Sequence, residues 1–374
     1  MNLKRLRIFV DAQPLLREKS GVGYYLANLL NLIARIDNLN HFHLVAFSFS
    51  LKTFQFHFGL NFTQTIIRII PRKVYLMLLE NHLLLPIELF SGFHDVYFFD
   101  NFISFPVFHG GIITVIHDLT FIKYPEFVEE KNLKHLQKLV PPSIKRSNIL
   151  IAVSETIKRE LLETFSLADS RVIVIQPCVN FIRPEIHPKD ELVFLKKHKF
   201  QKFILFLGNM EPRKNLHRLI KAYKLLASEI QKEYPLVIAG GVGWRNDAIM
   251  SEMPGRKNII YVGYVTGIEK EILYQHATLF VFPSIYEGFG MPLIEAMDHN
   301  IPVVTSKISC LPEVAGDAGI YIDPYDEEDI ADGILRGLQN ETLRLNHIEE
   351  GKKRVIYYKN IHQENILLEA IKNL

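Results

Sequence analysis

A chain of 374 residues has room for two domains, each able to bury its own core. Its composition, 48% hydrophobic and 22% charged without low-complexity tracts, is ordinary for a globular enzyme, and a net charge of +2 gives no support to nucleic-acid binding. Two cysteines, Cys178 and Cys310, are too few for a disulfide framework and lack metal-ligand spacing, and none of the 15 histidines is spaced as zinc ligands are, so no metal is expected.

The first ten residues are basic, but their apolar run breaks at Asp11, which reads as a first strand rather than a signal peptide. No apolar run reaches the ~18 residues that span a bilayer. The expected location is therefore cytoplasmic, soluble or peripheral at the inner membrane surface. A slight basic excess in residues 1–180 (19 Lys+Arg against 15 Asp+Glu) is compatible with an anionic membrane face.

Short apolar runs alternate with helical periodicity, the pattern of α/β architecture with mainly parallel sheets. In the first half strands are expected at 7–11, 43–47, 95–99, 112–117, 149–153 and 171–175, and helices at 23–36, 74–85, 132–147 and 155–165. Residues 177–199 lose the pattern and carry Pro177, Pro184 and Pro188, which places the interdomain connection there. The alternation restarts with strands at 203–207, 236–239, 259–262, 277–283, 302–305 and 320–321, and helices at 215–230, 269–276 and after Pro292. Domains are expected at 1–180 and 181–359, with a terminal helix at 360–374 that packs back on the first.

Several βα turns carry chemistry. Gly21 and Gly23 precede a helix and suit either close approach to a ligand or an ordinary turn. His117-Asp118 stands at a strand's carboxyl end, where the histidine is placed to contact a reacting sugar and the aspartate to hold the loop. Gly208-Asn-Met-Glu-Pro-Arg-Lys-Asn215 puts Arg213 and Lys214 at a helix entrance, where cations neutralise a diphosphate. Gly240-Gly241-Val-Gly243 is a weaker candidate of the same kind.

Most informative is Ser284-Ile-Tyr-Glu-Gly-Phe-Gly-Met-Pro-Leu-Ile-Glu-Ala-Met297, a glycine-rich turn between a strand and a helix with Pro292 in its first turn. Such a turn aims backbone N–H groups and a positive helix end at an anion. Glu287 and Glu295 are expected to face one crevice, as acceptors for hydroxyl groups. A two-carboxylate hydrolase would need both to flank one glycosidic bond; a phosphate-binding helix end between them fits ligand positioning better. A segment with Arg68, Arg72 and Lys73 beside Ile66, Ile67, Ile69 and Ile70 suits a membrane interface, although burial in the first domain is the favoured reading.

These motifs together resemble the retaining GT-B glycosyltransferases of family 4, the group 1 family, and the likeness runs through nearly the whole chain. Glu287 to Glu295 looks like that family's Glu-x7-Glu motif, and Gly208 to Asn215, Val115 to Leu119, Ser309 to Asp317 and Ser20 to Tyr24 are similar to its other signatures. The resemblance implies two doubly wound Rossmann-like domains facing an interdomain cleft, the first for the acceptor and the second for the nucleotide sugar. It implies that Glu287 binds donor-sugar hydroxyls, Glu295 the ribose diol, and Lys214 the diphosphate with Arg213 nearby. Gly288, Phe289, Gly290 and Met291 would contact sugar or phosphate, Tyr264 and Val265 would lie beside the base, and His117, Gly21 and Gly23 would approach from the first domain. Asn209 departs from the pattern, since many members carry Arg there.

The activity implied is metal-independent, retaining transfer of a hexose, leaning to mannose from GDP-mannose with UDP-sugars open, to a glycan or lipid-linked acceptor. The nucleotide sugar is a substrate, and no cofactor is expected. Alternatives are a GT-B sugar-nucleotide epimerase and a non-catalytic nucleotide-sugar-binding partner.

Overall fold

The computed structural model describes residues 5–16, 21–49, 58–179, 183–198, 202–243 and 258–374. Ser20 of the first glycine motif, residues 180–182 and Lys199 of the expected connection lie outside them. The chain forms two compact units, Met1–Cys178 with Ile361–Leu374, and Val179–Asn360.

The first unit holds a seven-stranded parallel sheet: β1 (Arg7–Asp11), β2 (His41–Phe47), β3 (Phe62–Ile67), β4 (Val96–Phe99), β5 (Gly111–Ile116), β6 (Ile149–Ala152) and β7 (Val172–Val174), in the order β3-β2-β1-β4-β5-β6-β7. Strands β4 and β5 are buried at every residue, as the continuous apolar runs Val-Tyr-Phe-Phe and Gly-Ile-Ile-Thr-Val-Ile demand of strands covered on both faces. The second unit repeats the plan with six parallel strands, β8 (Ile204–Leu207), β9 (Leu236–Ala239), β10 (Ile259–Gly263), β11 (Leu279–Phe282), β12 (Val303–Ser306) and β13 (Gly319–Ile322), in the order β10-β9-β8-β11-β12-β13.

In both sheets the strand order reverses beside the first strand, at β1/β4 and at β8/β11. Doubly wound sheets bind ligands at the carboxyl ends of the strands flanking that reversal, because the crossover helices leave to opposite faces and open a crevice.

Three sequence expectations need correction. β3 replaces what was read as unstructured chain: its Thr63 and Gln64 are exposed on a sheet edge, which erases the apolar signature. The helix expected at 215–230 is two, Leu216–Leu225 and Ser228–Glu233, because Leu226 and Ala227 adopt extended backbone. The patternless stretch 177–199 contains a helix, Pro188–His198, opened by the proline that had argued against one.

Candidate active site

At the β8/β11 reversal two loops are locked together. The loop after β8 closes with a 3-10 turn, Pro212–Lys214, and the Ile285 N–H donates to the Arg213 carbonyl at 2.8 Å. Asn215, in the left-handed region at φ 60°, donates its side-chain amide to the carbonyls of Pro283 (3.1 Å) and Pro324 (2.6 Å). On the other side, Ser309 Oγ accepts from the Glu287 N–H (3.1 Å) and donates to the Glu287 carbonyl (2.9 Å), and the buried Cys310 thiol lies against the carbonyls of Glu287 and Phe289. Residues 281–290 are all buried, so the turn carrying Glu287 is fixed by packing and hydrogen bonds.

The closure brings three expected residues into contact. Arg213 Nη1 donates to one oxygen of Glu287 at 2.6 Å, and Lys214 Nζ donates to the other. Arg213 Nε also bonds Glu211, at 2.9 Å, and the Lys214 ammonium sits 4.7 Å from the centre of the Phe282 ring. Burial pushes the Glu287 carboxyl up, but Arg213 and Lys214 overrule it and hold it at about 2. The two cations are therefore neutralised by carboxylates, not bare as the sequence suggested.

The helix Met291–Asp298 begins directly after this turn, with Gly290 at its N-cap in the left-handed region (φ 99°). A Cβ on Gly290 would lie 2.9 Å from Leu311 Cδ2, so conformation and space both require glycine there. Gly288 and Phe289 are buried and Met291 half-buried. Gly240 in the weaker candidate loop has a comparable reason: its Cβ would lie 2.0 Å from the Gly208 carbonyl oxygen, so the loops after β8 and β9 touch backbone to backbone.

Glu287 and Glu295 do not act on common partners. Glu295, one helical turn in, accepts from Lys270 Nζ (2.7 Å) and from the Tyr274 hydroxyl (2.9 Å). Neither of these was identified from sequence, because both lie on another helix, Gly267–His276. Asn209 is exposed, as is Tyr264, at 67%, and Val265 is half-buried. Gly263 before them has φ 85°, which turns the chain out of β10.

In the first unit the ends of β1, β4 and β5 carry Asp11, Asp100 and His117. His117 Nε2 donates to the Asp100 carbonyl at 2.6 Å, and its ring lies edge-on to Tyr25 and Phe102. Burial lowers its pKa, so the imidazole is neutral near pH 7. Asp118 accepts the Thr120 N–H and holds the loop, the role expected for it. Gly21 opens the helix Gly21–Ile36 with open space around its Cβ position, and Gly23 is buried within that helix, so close approach to a ligand is not what the fold requires of Gly21. Sequence reading missed Asp100, whose signal was an acidic residue ending a wholly apolar strand. It is fully buried, neither carboxyl oxygen has a hydrogen-bond partner among the described residues, and burial with the nearby Asp11 raises its pKa well above the usual range. Asp11 itself is held by both oxygens to Arg72 Nη1 at 3.0 Å.

Two doubly wound α/β units, the second with an anion-binding helix end and paired cations at its strand-order reversal, define the GT-B class of nucleotide-sugar folds. Sucrose-phosphate synthase from Thermosynechococcus elongatus superposes with a TM-score of 0.71 at 15% identity, over 99% of this chain and 98% of that one, a likeness of fold alone. Residues 189–354 match the sequence model of the family described as Glycosyl transferases group 1, and that segment belongs to the family. The chain is 35% identical over 238 residues to O-antigen chain mannosyltransferase B of Escherichia coli (62% of each chain). It is 32% identical over 232 residues to O-antigen chain mannosyltransferase RfbU of Salmonella typhimurium (60% of each). It thus spans about three fifths of the length of the curated relatives it matches.

Proposed function

We propose that this chain is a retaining glycosyltransferase that moves a hexose, mannose from GDP-mannose, to a glycan or lipid-linked acceptor during surface-polysaccharide assembly. The observation that supports it most is the convergence of Arg213, Lys214 and Glu287 beside the start of the helix Met291–Asp298, at the strand-order reversal of the second unit. Cations at a helix N-terminus suit a diphosphate, and a carboxylate held ionised among them suits sugar hydroxyls. The relatives' names favour mannose.

On this reading the leaving diphosphate takes over part of the pairing that Arg213 and Lys214 now give to Glu287. The freed carboxylate then accepts from the sugar. As the glycosidic bond breaks, the sugar becomes oxocarbenium-like, and the acceptor hydroxyl attacks from the face the phosphate leaves, with a phosphate oxygen taking its proton. Fixed charges and orientation carry the catalysis, with no divalent cation in the scheme. Glu295 accepts from the ribose diol while Lys270 and Tyr274 hold its orientation. The loops of the first unit are assigned to the acceptor.

Calorimetric titration with GDP-mannose, UDP-glucose and UDP-GlcNAc, then product analysis on lipid-linked acceptors, tests the reading. Binding of none of the three sinks it. Glu295→Ala is expected to weaken nucleotide binding by about tenfold or more, the loss of one charge-assisted contact, and to change kcat much less. Transfer is expected to persist in a chelator; loss reversed by Mn²⁺ would refute the metal-free scheme.

A further inference from the structure

The segment 68–93 does not behave as its sequence suggested. Burial was the favoured reading, yet Ile69, Met77, Leu83, Leu84, Leu89 and Phe93 are between 51% and 83% exposed. The helix Arg72–Glu80 buries Tyr75 and Leu79 against its own unit while Val74 and Met77 face solvent, so it is apolar on both sides. A helix apolar all round has a second apolar environment to meet, and a run of large exposed side chains in a water-soluble fold marks a contact surface.

Charge selects the occupant. The only acids in this segment are turned inward: Glu80 pairs with His135, and buried Glu88 accepts the Phe108 N–H at 2.6 Å. The cations Arg68 and Lys73 are exposed, and the neighbouring helix Glu130–Arg146, joined through His135, exposes Lys131 and Lys138. A second copy meeting this face across a two-fold axis would set like charges against like. An anionic lipid surface answers both features, taking the leucines and phenylalanine at the acyl boundary and the cations at the headgroups. No helix among the described residues is long and apolar enough to cross a membrane, so the contact is interfacial.

We infer that segment 68–93 is the membrane-docking face of the first unit, with Leu83 and Leu84 as its apolar anchors and Arg68 and Lys73 as its headgroup contacts. The inference rests on the proposed lipid-linked acceptor. Its test needs neither donor nor transfer, so the two readings fail separately.

The full chain is sedimented with vesicles of phosphatidylcholine alone or with added phosphatidylglycerol. Binding is expected only with the anionic lipid, falling as salt is added. The Leu83→Asp/Leu84→Asp pair should lower the partition coefficient by about tenfold or more, and Arg68→Ala and Lys73→Ala by about fivefold each. All these side chains are exposed, so donor binding and the thermal midpoint should match the parent. Equal affinity for neutral vesicles, no binding, or binding untouched by these substitutions overturns the inference. So does a lipid-free dimer that the Leu83→Asp/Leu84→Asp pair dissolves.

Discussion

Glu287→Ala should abolish sugar transfer and also weaken the second unit. The carboxylate is the common partner of Arg213 and Lys214, with only 7% of its side chain accessible. Removing one member of a buried ion cluster leaves the others desolvated and unpaired, at a cost of about 3–5 kcal/mol. Loss of a preorganised group at the reacting sugar adds about 10²–10³ in kcat. Glu287→Gln separates the effects, since it keeps the shape and one acceptor oxygen: folding should recover in large part while transfer stays low. Steady-state kinetics with urea unfolding of both variants decides the matter, and parent-like turnover in Glu287→Ala would remove Glu287 from the site.

The first unit should lose stability on mild acidification, in a pH window distinct from that of the second. His94 Nδ1 lies 3.0 Å from the Gly92 carbonyl and must donate to it, so His94 Nε2 accepts from His43 Nδ1 at 2.8 Å, and His43 Nε2 accepts from the Thr65 hydroxyl at 2.7 Å. This fixes both imidazoles as neutral tautomers. Burial, then the neighbouring cationic groups His41 and Arg7 for His43, and His43 and Arg7 for His94, bring each from 6.5 to about 4. Unfolding therefore takes up as many as two protons between those limits, each worth about 1.4 kcal/mol per pH unit where it is bound only by the unfolded chain. Stability present above pH 6.5 is lost as pH falls toward 4. Glu287, also depressed but a carboxylate, gives a contribution lost only between 4.5 and about 2. Hydrogen exchange in β2 and β4 as a function of pH should report the first window, and His43→Leu should flatten it; a pH-independent profile in the parent would contradict the histidine chain.

Architecture was largely legible because a parallel strand covered on both faces must be written as an uninterrupted apolar run, and β4, β5, β9 and β11 are such runs. Where one face is wet the signal fades, which is why β3 was missed. Residue types at the site were legible for a related reason, since acids, cations and glycines in βα turns have little structural cause to be there. Their pairings were not. Lys214 and Glu287 are 73 positions apart and meet only because β8 and β11 are neighbours, a fact of strand order that local pattern does not encode. Asp100 escaped notice because its isolation is visible only when every surrounding group is placed. The 68–93 segment was misjudged because a helix with two apolar faces looks the same on paper whether one face or both are covered.

The last helix, Gln363–Lys372, belongs to the unit that the first residues begin. Its Leu367 and Ile371 are buried, it packs on the helix Gly21–Ile36, and Gln363 Oε1 accepts the Gln176 N–H at 2.9 Å. As the polypeptide leaves the ribosome, the amino-terminal lobe thus waits, with that groove uncapped, until the carboxyl-terminal lobe has been synthesised in full. Nascent-chain maturation runs inside out, the interrupted lobe closing after the one inserted in it.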